Sequence, residues 1–225
     1  MGQTIELTAA DGHRIGAWQA DPDGRPRGGI VVIQEIFGVN PHIRSVAESF
    51  AADGWTAIAP ALFDRVRRDI QLDYGPEDIE AGREVMAKIP LDTALMDVGA
   101  AIAALKAMGL KVGVVGYCWG GTLAWAAACR LDGLDAAVSY YGGGVPGMAD
   151  EQPNCPVQLH FGEQDHAIPM DGVERFRQAH PDLPVFTYPA GHGFSCDARG
   201  SYHAESARLA RERTDRFLDE HLAGR

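Results

Sequence analysis

The chain of 225 residues contains no stretch long and apolar enough to span a bilayer, which argues against a membrane partner. Its first residues, Met1-Gly2-Gln3-Thr4-Ile5-Glu6, have neither the basic start nor the apolar stretch of a secretion signal, so a cytoplasmic location is expected. Basic residues are scarce: 20 Lys and Arg against 31 Asp and Glu leave a formal net charge of -11. That balance weighs against nucleic acid and anionic membrane surfaces as partners, although a local Arg can still bind a small anion. Cysteine is sparse and scattered. Cys118, Cys129, Cys155 and Cys196 form no C-x-x-C pair, so neither a disulfide framework nor a metal site is expected, and no cofactor is implied. There is no internal repeat, low-complexity tract or boundary-type linker. One α/β domain over residues 1–225 is therefore expected, long enough to bury a sizeable core, with no obligate protein partner implied.

What is present is alternation. Residues 4–7 and 14–19 read as two strands joined around Asp11-Gly12. Residues 29–34 are a short apolar run suited to a buried strand. Residues 41–52 carry Ile43, Val46, Phe50 and Ala51 at helical spacing and stop near Gly54. Strands follow at 56–59, 112–117, 136–141, 156–161 and 185–188, and helices at 76–88, 93–108, 119–130, 171–180 and 201–222. The charged stretch 65–75 lacks a pattern and reads as a surface excursion. Strands alternating with helices predict a mainly parallel sheet covered on both faces.

The most informative segment is Val112-Gly113-Val114-Val115-Gly116-Tyr117-Cys118-Trp119-Gly120-Gly121-Thr122. A buried-strand pattern ends at Gly116, Cys118 stands between two glycines, and a helix begins. This is the G-x-S-x-G nucleophile elbow with sulfur in place of oxygen. The turn lifts the thiol to the end of a sheet and aims a helix N-terminus at it, which favours thiolate. A thiol nucleophile needs a base and a group that orients the base. Reactive groups in a parallel sheet sit at the carboxyl ends of strands. Just past two later strands lie Gly162-Glu163-Gln164-Asp165-His166 and Pro189-Ala190-Gly191-His192-Gly193-Phe194. The order Cys118, Asp165, His192 is similar to the nucleophile–acid–histidine order of α/β-hydrolases. His192 would carry protons, and Asp165 would hold its tautomer. His166 and His160 compete as the base, but His166 adjoins the proposed acid and His160 lies within a strand.

Five blocks carry a closer resemblance: Gln34-Glu35-Ile36-Phe37-Gly38-Val39-Asn40, Gly116-Tyr117-Cys118-Trp119-Gly120-Gly121, Tyr140-Tyr141-Gly142, His160-Phe161-Gly162-Glu163-Gln164-Asp165-His166 and Gly191-His192-Gly193-Phe194. Over nearly its whole length the chain resembles the dienelactone hydrolase family of α/β-hydrolases. The resemblance implies an α/β-hydrolase fold and a Cys-Asp-His triad acting on a small ester or lactone. It implies that Glu35 contacts the nucleophile and takes part in activating it; a Glu satisfied by loop amides or an Arg is the alternative. The backbone N–H groups of Ile36 and Trp119 would form the oxyanion hole. Phe37, Tyr140, Tyr141, Phe194 and Trp119 would line an aromatic pocket.

One departure stands out. Where members of the family place a carboxylate-gripping Arg just beyond the histidine, this chain has Cys196. Arg199 would substitute through a loop shift. Arg83 lies near, but out of register with, the family's second such Arg. The expected activity is hydrolysis through an acyl-thioester. A thioesterase or acyltransferase on the same triad, a non-catalytic binding protein and a thiol sensor are the alternatives.

Overall fold

The computed structural model describes residues 2–223. Eight strands form one sheet: β1 (Gln3–Thr8), β2 (Arg14–Ala20), β3 (Gly29–Ile33), β4 (Thr56–Pro60), β5 (Val112–Tyr117), β6 (Ala136–Tyr140), β7 (Val157–Gly162) and β8 (Val185–Tyr188). Their order is β1-β2-β4-β3-β5-β6-β7-β8. The β1–β2 hairpin is antiparallel and joins β4 antiparallel; every pair from β4 to β8 is parallel. Strands β3 to β7 are buried along their whole length, as central strands covered on both faces must be. The edge strand β1 is mostly exposed, matching its polar alternation.

Six helices cover the sheet: α1 (Pro41–Ala52), α2 (Pro76–Met86), α3 (Leu91–Ala107), α4 (Trp119–Arg130), α5 (Met170–Ala179) and α6 (Ala204–Leu222). Helix α1 starts where the sequence indicates, with Asn40 accepting from the Ile43 N–H and Pro41 at the first turn. Arg211 of α6 reaches Ser49 of α1, while Arg130 of α4 reaches Asp92 of α3. Helix α6 begins at Ala204, three residues later than expected, because His203 caps it by accepting from the Ser206 N–H.

The chain runs outward from β3 to β4 and then returns across β3 to β5. The loops after β3 and β5 therefore part in opposite directions and leave a crevice at the strand ends, the usual ligand position in such sheets.

The 65–75 stretch corrects the sequence reading. Residues 66–69 are exposed, but Arg65 is nearly buried between Asp97 of α3 and Asp11, and Ile70 is buried. Leu72 N–H donates to the Phe37 carbonyl, and Asn40 Nδ2 donates to the Leu72 carbonyl at 3.1 Å. The segment thus packs on the loop after β3. Its apolar residues are too few and too irregular to reveal this without the surface that receives them.

Inside the sheet, His160 of β7 is wholly buried. Its Nδ1 lies 2.8 Å from the Tyr188 hydroxyl, its Nε2 lies 3.2 Å from Thr214 Oγ1 of α6, and its ring stacks on Tyr140. Burial, aided by Arg213, pushes its pKa down to about 3. The unfolded chain takes up this proton at a higher pH than the folded one, so the folded state loses stability as pH falls below the ordinary histidine range. We predict that His160→Gln, though less stable at neutral pH, loses less stability than the parent between about pH 7 and pH 4. Urea unfolding at both pH values measures this; equal losses would show that His160 does not govern the acid limb.

Candidate active site

The site is built on the turn out of β5. Cys118 adopts φ 57° and ψ -115°, a strained conformation for a residue with a side chain. Backbone crowding enforces it. A Cβ on Gly116 would stand 1.8 Å from the Gly120 carbonyl oxygen, and one on Gly120 would stand 2.3 Å from that of Ile33. Only glycine lets these segments cross so closely. The Cys118 N–H is held by the Tyr140 carbonyl at 3.0 Å, and α4 starts at the next residue. The sulfur therefore sits at a helix N-terminus, partly open to solvent.

The structure brings together the three residues singled out at successive strand ends. His192 Nε2 lies 3.1 Å from Cys118 Sγ, and His192 Nδ1 lies 2.6 Å from Asp165 Oδ2. Asp165 is buried, and its other oxygen accepts the Ala167 N–H at 2.8 Å. Burial alone would lower the His192 pKa. The hydrogen bonds and charges of Asp165 and Cys118 outweigh it and raise the pKa to about 10. The competing histidines lie elsewhere: His166 is exposed, and His160 is enclosed in the sheet.

Glu35 is paired with a cation. It follows β3 and is 1% exposed, but it makes no hydrogen bond to Cys118. Its Oε1 instead accepts from Arg199 Nη1 at 3.0 Å. An Arg thus satisfies one oxygen of Glu35, while the other has no hydrogen-bond partner. Arg199 reaches Glu35 because Gly193 has no side chain: a Cβ there would meet the guanidinium at 2.5 Å. The Arg199 group also lies over Phe37 and Tyr74, at 5.6 and 5.8 Å from their ring centres.

The backbone N–H groups of Trp119 and Ile36 make no bond to another backbone group among the described residues. Unused donors of this kind, at a helix start and in the loop beside it, suit a developing oxyanion.

The aromatic residues expected to line a pocket are packed instead. Phe37, Tyr140, Tyr141 and Phe194 are 0–2% exposed. Tyr140 bonds Thr214 Oγ1 at 2.7 Å, on the α6 side of the sheet. Tyr141 stands edge-on to His192 at 5.2 Å, its hydroxyl 2.7 Å from Ser195 Oγ, with Phe194 packed against its ring. Tyr141, backed by Phe194, supports the imidazole. Of the aromatic group only Trp119 is partly open, packed beside Phe63. The sequence reading missed Tyr74 and Ser195. Tyr74 sits in the irregular 65–75 stretch, and Ser195 is one serine in a polar loop, so neither carried a local signal.

This sheet and this strand-end constellation are those of an α/β-hydrolase. The profile described as the Dienelactone hydrolase family matches residues 15–222. A Pseudomonas putida carboxymethylenebutenolidase is 35% identical over 231 residues, covering 97% of this chain and 96% of its own. A Cupriavidus pinatubonensis carboxymethylenebutenolidase 1 is 29% identical, with 97% of each chain covered. Among solved structures, a "Putative Dienelactone Hydrolase" from Klebsiella pneumoniae superposes with a TM-score of 0.86 at 30% identity, over 98% of this chain and 100% of that one. A dienelactone hydrolase-like promiscuous phosphotriesterase from metagenomic libraries gives 0.75 at 25% identity, over 98% and 99%. The chain belongs to the dienelactone hydrolase family and is an enzyme of the ester- and lactone-hydrolysing class. No helix among the described residues is long and apolar enough to cross a membrane.

The Glu35–Arg199 pair makes a direct prediction. Arg199 is 16% and Glu35 1% exposed at the side chain, so removing one partner leaves a charge without its counter-ion. Arg199→Ala should cost about 3–5 kcal/mol, and adding Glu35→Gln should recover part of it. Urea unfolding of the single and double variants measures both. Additive losses would mean that the two charges are not coupled.

Proposed function

We propose that this enzyme cleaves a small cytoplasmic ester or lactone through a covalent thioester on Cys118, with His192 moving protons and Asp165 orienting the imidazole. The continuous contact from sulfur through both ring nitrogens to a buried carboxylate carries this reading. With its pKa raised to about 10 by Asp165 and Cys118, His192 readily holds the proton that the Cys118 thiol must give up to become the attacking thiolate.

In the first step the thiolate attacks the carbonyl carbon, and the oxyanion moves toward the N–H groups of Trp119 and Ile36. Collapse breaks the carbon–oxygen bond, and His192 gives its proton to the departing alkoxide. Acylation discharges the sulfur and so removes one of the two supports of the imidazolium. The neutral imidazole then takes a proton from water as that water attacks the thioester. Collapse releases the acid and frees the sulfur, leaving the proton on His192. Asp165 accepts from Nδ1 throughout and holds the imidazole in one tautomer. Arg199, already engaged by Glu35, does not act as a free grip for a substrate carboxylate.

Cys118→Ala should abolish hydrolysis of an aryl ester, and Cys118→Ser should be severely impaired because the base is matched to a thiol. His192→Ala should lower kcat by about 10²–10⁴-fold. The Cys118→Ala protein should also show a lower His192 titration midpoint by NMR, since two of the influences that raise it come from the sulfur. Full activity in Cys118→Ala would end the assignment of the nucleophile.

Substrate charge is tested separately. A lactone bearing a carboxylate and its methyl ester should give kcat/KM values within a few-fold of each other. A strong preference for the free acid would mean that Arg199 leaves Glu35 to bind substrate.

A further inference from the structure

Beside the nucleophile's own partners, three donor atoms of different chemistry converge. One carboxylate oxygen of Glu35, one ring nitrogen of His42 and the sulfur of Cys196 all lie within 4.8 Å of one another. They come from the loop after β3, the first turn of α1 and the loop after His192. All three are withdrawn from solvent: Cys196 is 0% exposed, Glu35 1%, and the His42 side chain 8%.

The cluster is not satisfied internally. Arg199 takes Glu35 Oε1, but Glu35 Oε2 is buried without any hydrogen-bond partner. Buried carboxylate oxygens are nearly always partnered, so an orphan calls for a missing group. Cys196 is a free thiol whose pKa is pushed up to about 11 by burial first and by the Glu35 charge second. The His42 ring is held at Nδ1 by Asp197 Oδ1, 3.0 Å away.

We propose that Glu35, His42 and Cys196 bind a transition-metal ion of the zinc class. A sulfur, a nitrogen and an oxygen form a donor set that suits Zn²⁺ and its Co²⁺ surrogate, whereas Mg²⁺ and Ca²⁺ require oxygen ligands. Tetrahedral ligation at ordinary zinc distances sets donor atoms about 3.3–3.6 Å apart. The present spacing therefore closes onto an ion with side-chain shifts of roughly one ångström. The ion supplies the missing partner of Glu35 Oε2, and Cys196 ligates as thiolate, releasing its proton to solvent. A fourth position is left for water. Thiolate and carboxylate together balance the 2+ charge. The Arg199 guanidinium on the other Glu35 oxygen opposes the ion and weakens the site relative to a four-ligand structural zinc centre. The ligands stand at positions 35, 42 and 196, so no local spacing in the sequence marks them.

Cys118 and His192 are a rival thiol–imidazole pair for zinc, so the test runs in the full-length Cys118→Ala protein. After removal of bound metal, Zn²⁺ is titrated against a chromophoric chelator. Cys118→Ala should bind one Zn²⁺ per chain. Adding Cys196→Ser should weaken binding about 100-fold or more, and adding His42→Ala at least tenfold, on the scale set by loss of metal-site groups. Co²⁺-loaded Cys118→Ala should show a thiolate-to-cobalt charge-transfer band that disappears with Cys196→Ser. Circular dichroism checks folding; should Cys196→Ser fail to fold, the less enclosed His42→Ala decides. No zinc bound to Cys118→Ala, or equal affinity with and without the Cys196 and His42 substitutions, overturns the proposal. The test does not depend on ester hydrolysis, so it stands or falls apart from the catalytic reading.

Discussion

The close crossing of backbone between residues 116 and 121 is the constraint on which the rest of the site depends. Gly116 and Gly120 approach to a separation that no Cβ fits, and Cys118 is forced into a positive φ between them. The strain at one residue is held in place by the packing of β5 against β3 and β6 and by the Tyr140 carbonyl on the Cys118 N–H. The benefits are geometric. The sulfur clears the end of the sheet, the α4 N-terminus points at it, and the Trp119 N–H is left without a backbone acceptor beside it. The β3 loop, diverging at the switch point, contributes Ile36 from the other side.

Around that turn the polar groups sort into a triad and a separate ion pair. His192 is set between Cys118 and Asp165, and their combined influence keeps its proton on despite burial. Glu35 lies close by, yet Arg199 engages it. A free carboxylate against the sulfur would oppose a thiolate, and the guanidinium offsets that effect. Cys196 stands three residues before the Arg199 that serves Glu35. The guanidinium and the thiol thus share one corner of the site with Glu35.

Beneath the reacting atoms, buried aromatics work as a scaffold. Tyr141, Phe194, Tyr188 and Tyr140 form a contiguous stack that reaches His160 and, through hydroxyl contacts, α6. Aromatic rings packed edge to face fix one another's orientation, and Tyr141 passes that order to the imidazole. The buried His160 stays neutral at this depth and links three elements by hydrogen bonds rather than by charge.

Much of this was legible in the linear chain. The alternation of short apolar runs with helical spacing determined the parallel sheet, because strand and helix periodicities are local properties of side-chain direction. The glycine-flanked Cys118 determined the elbow, because the turn's sterics involve only near neighbours. The order of Cys118, Asp165 and His192 at successive strand ends followed from the sheet. Tertiary structure alone decided the remainder. Whether Glu35 faces sulfur or a guanidinium depends on which of two groups, over 80 and 160 residues away, competes better for one carboxylate. Whether Tyr140, Tyr141, Phe37 and Phe194 meet substrate or each other depends on how the loops close over them, and an aromatic side chain reads the same in either place. The inward packing of Ile70 and the meeting of Glu35, His42 and Cys196 are likewise products of distant segments sharing one corner. Local sequence encodes the direction of each side chain, but not the partner that a folded chain brings to meet it.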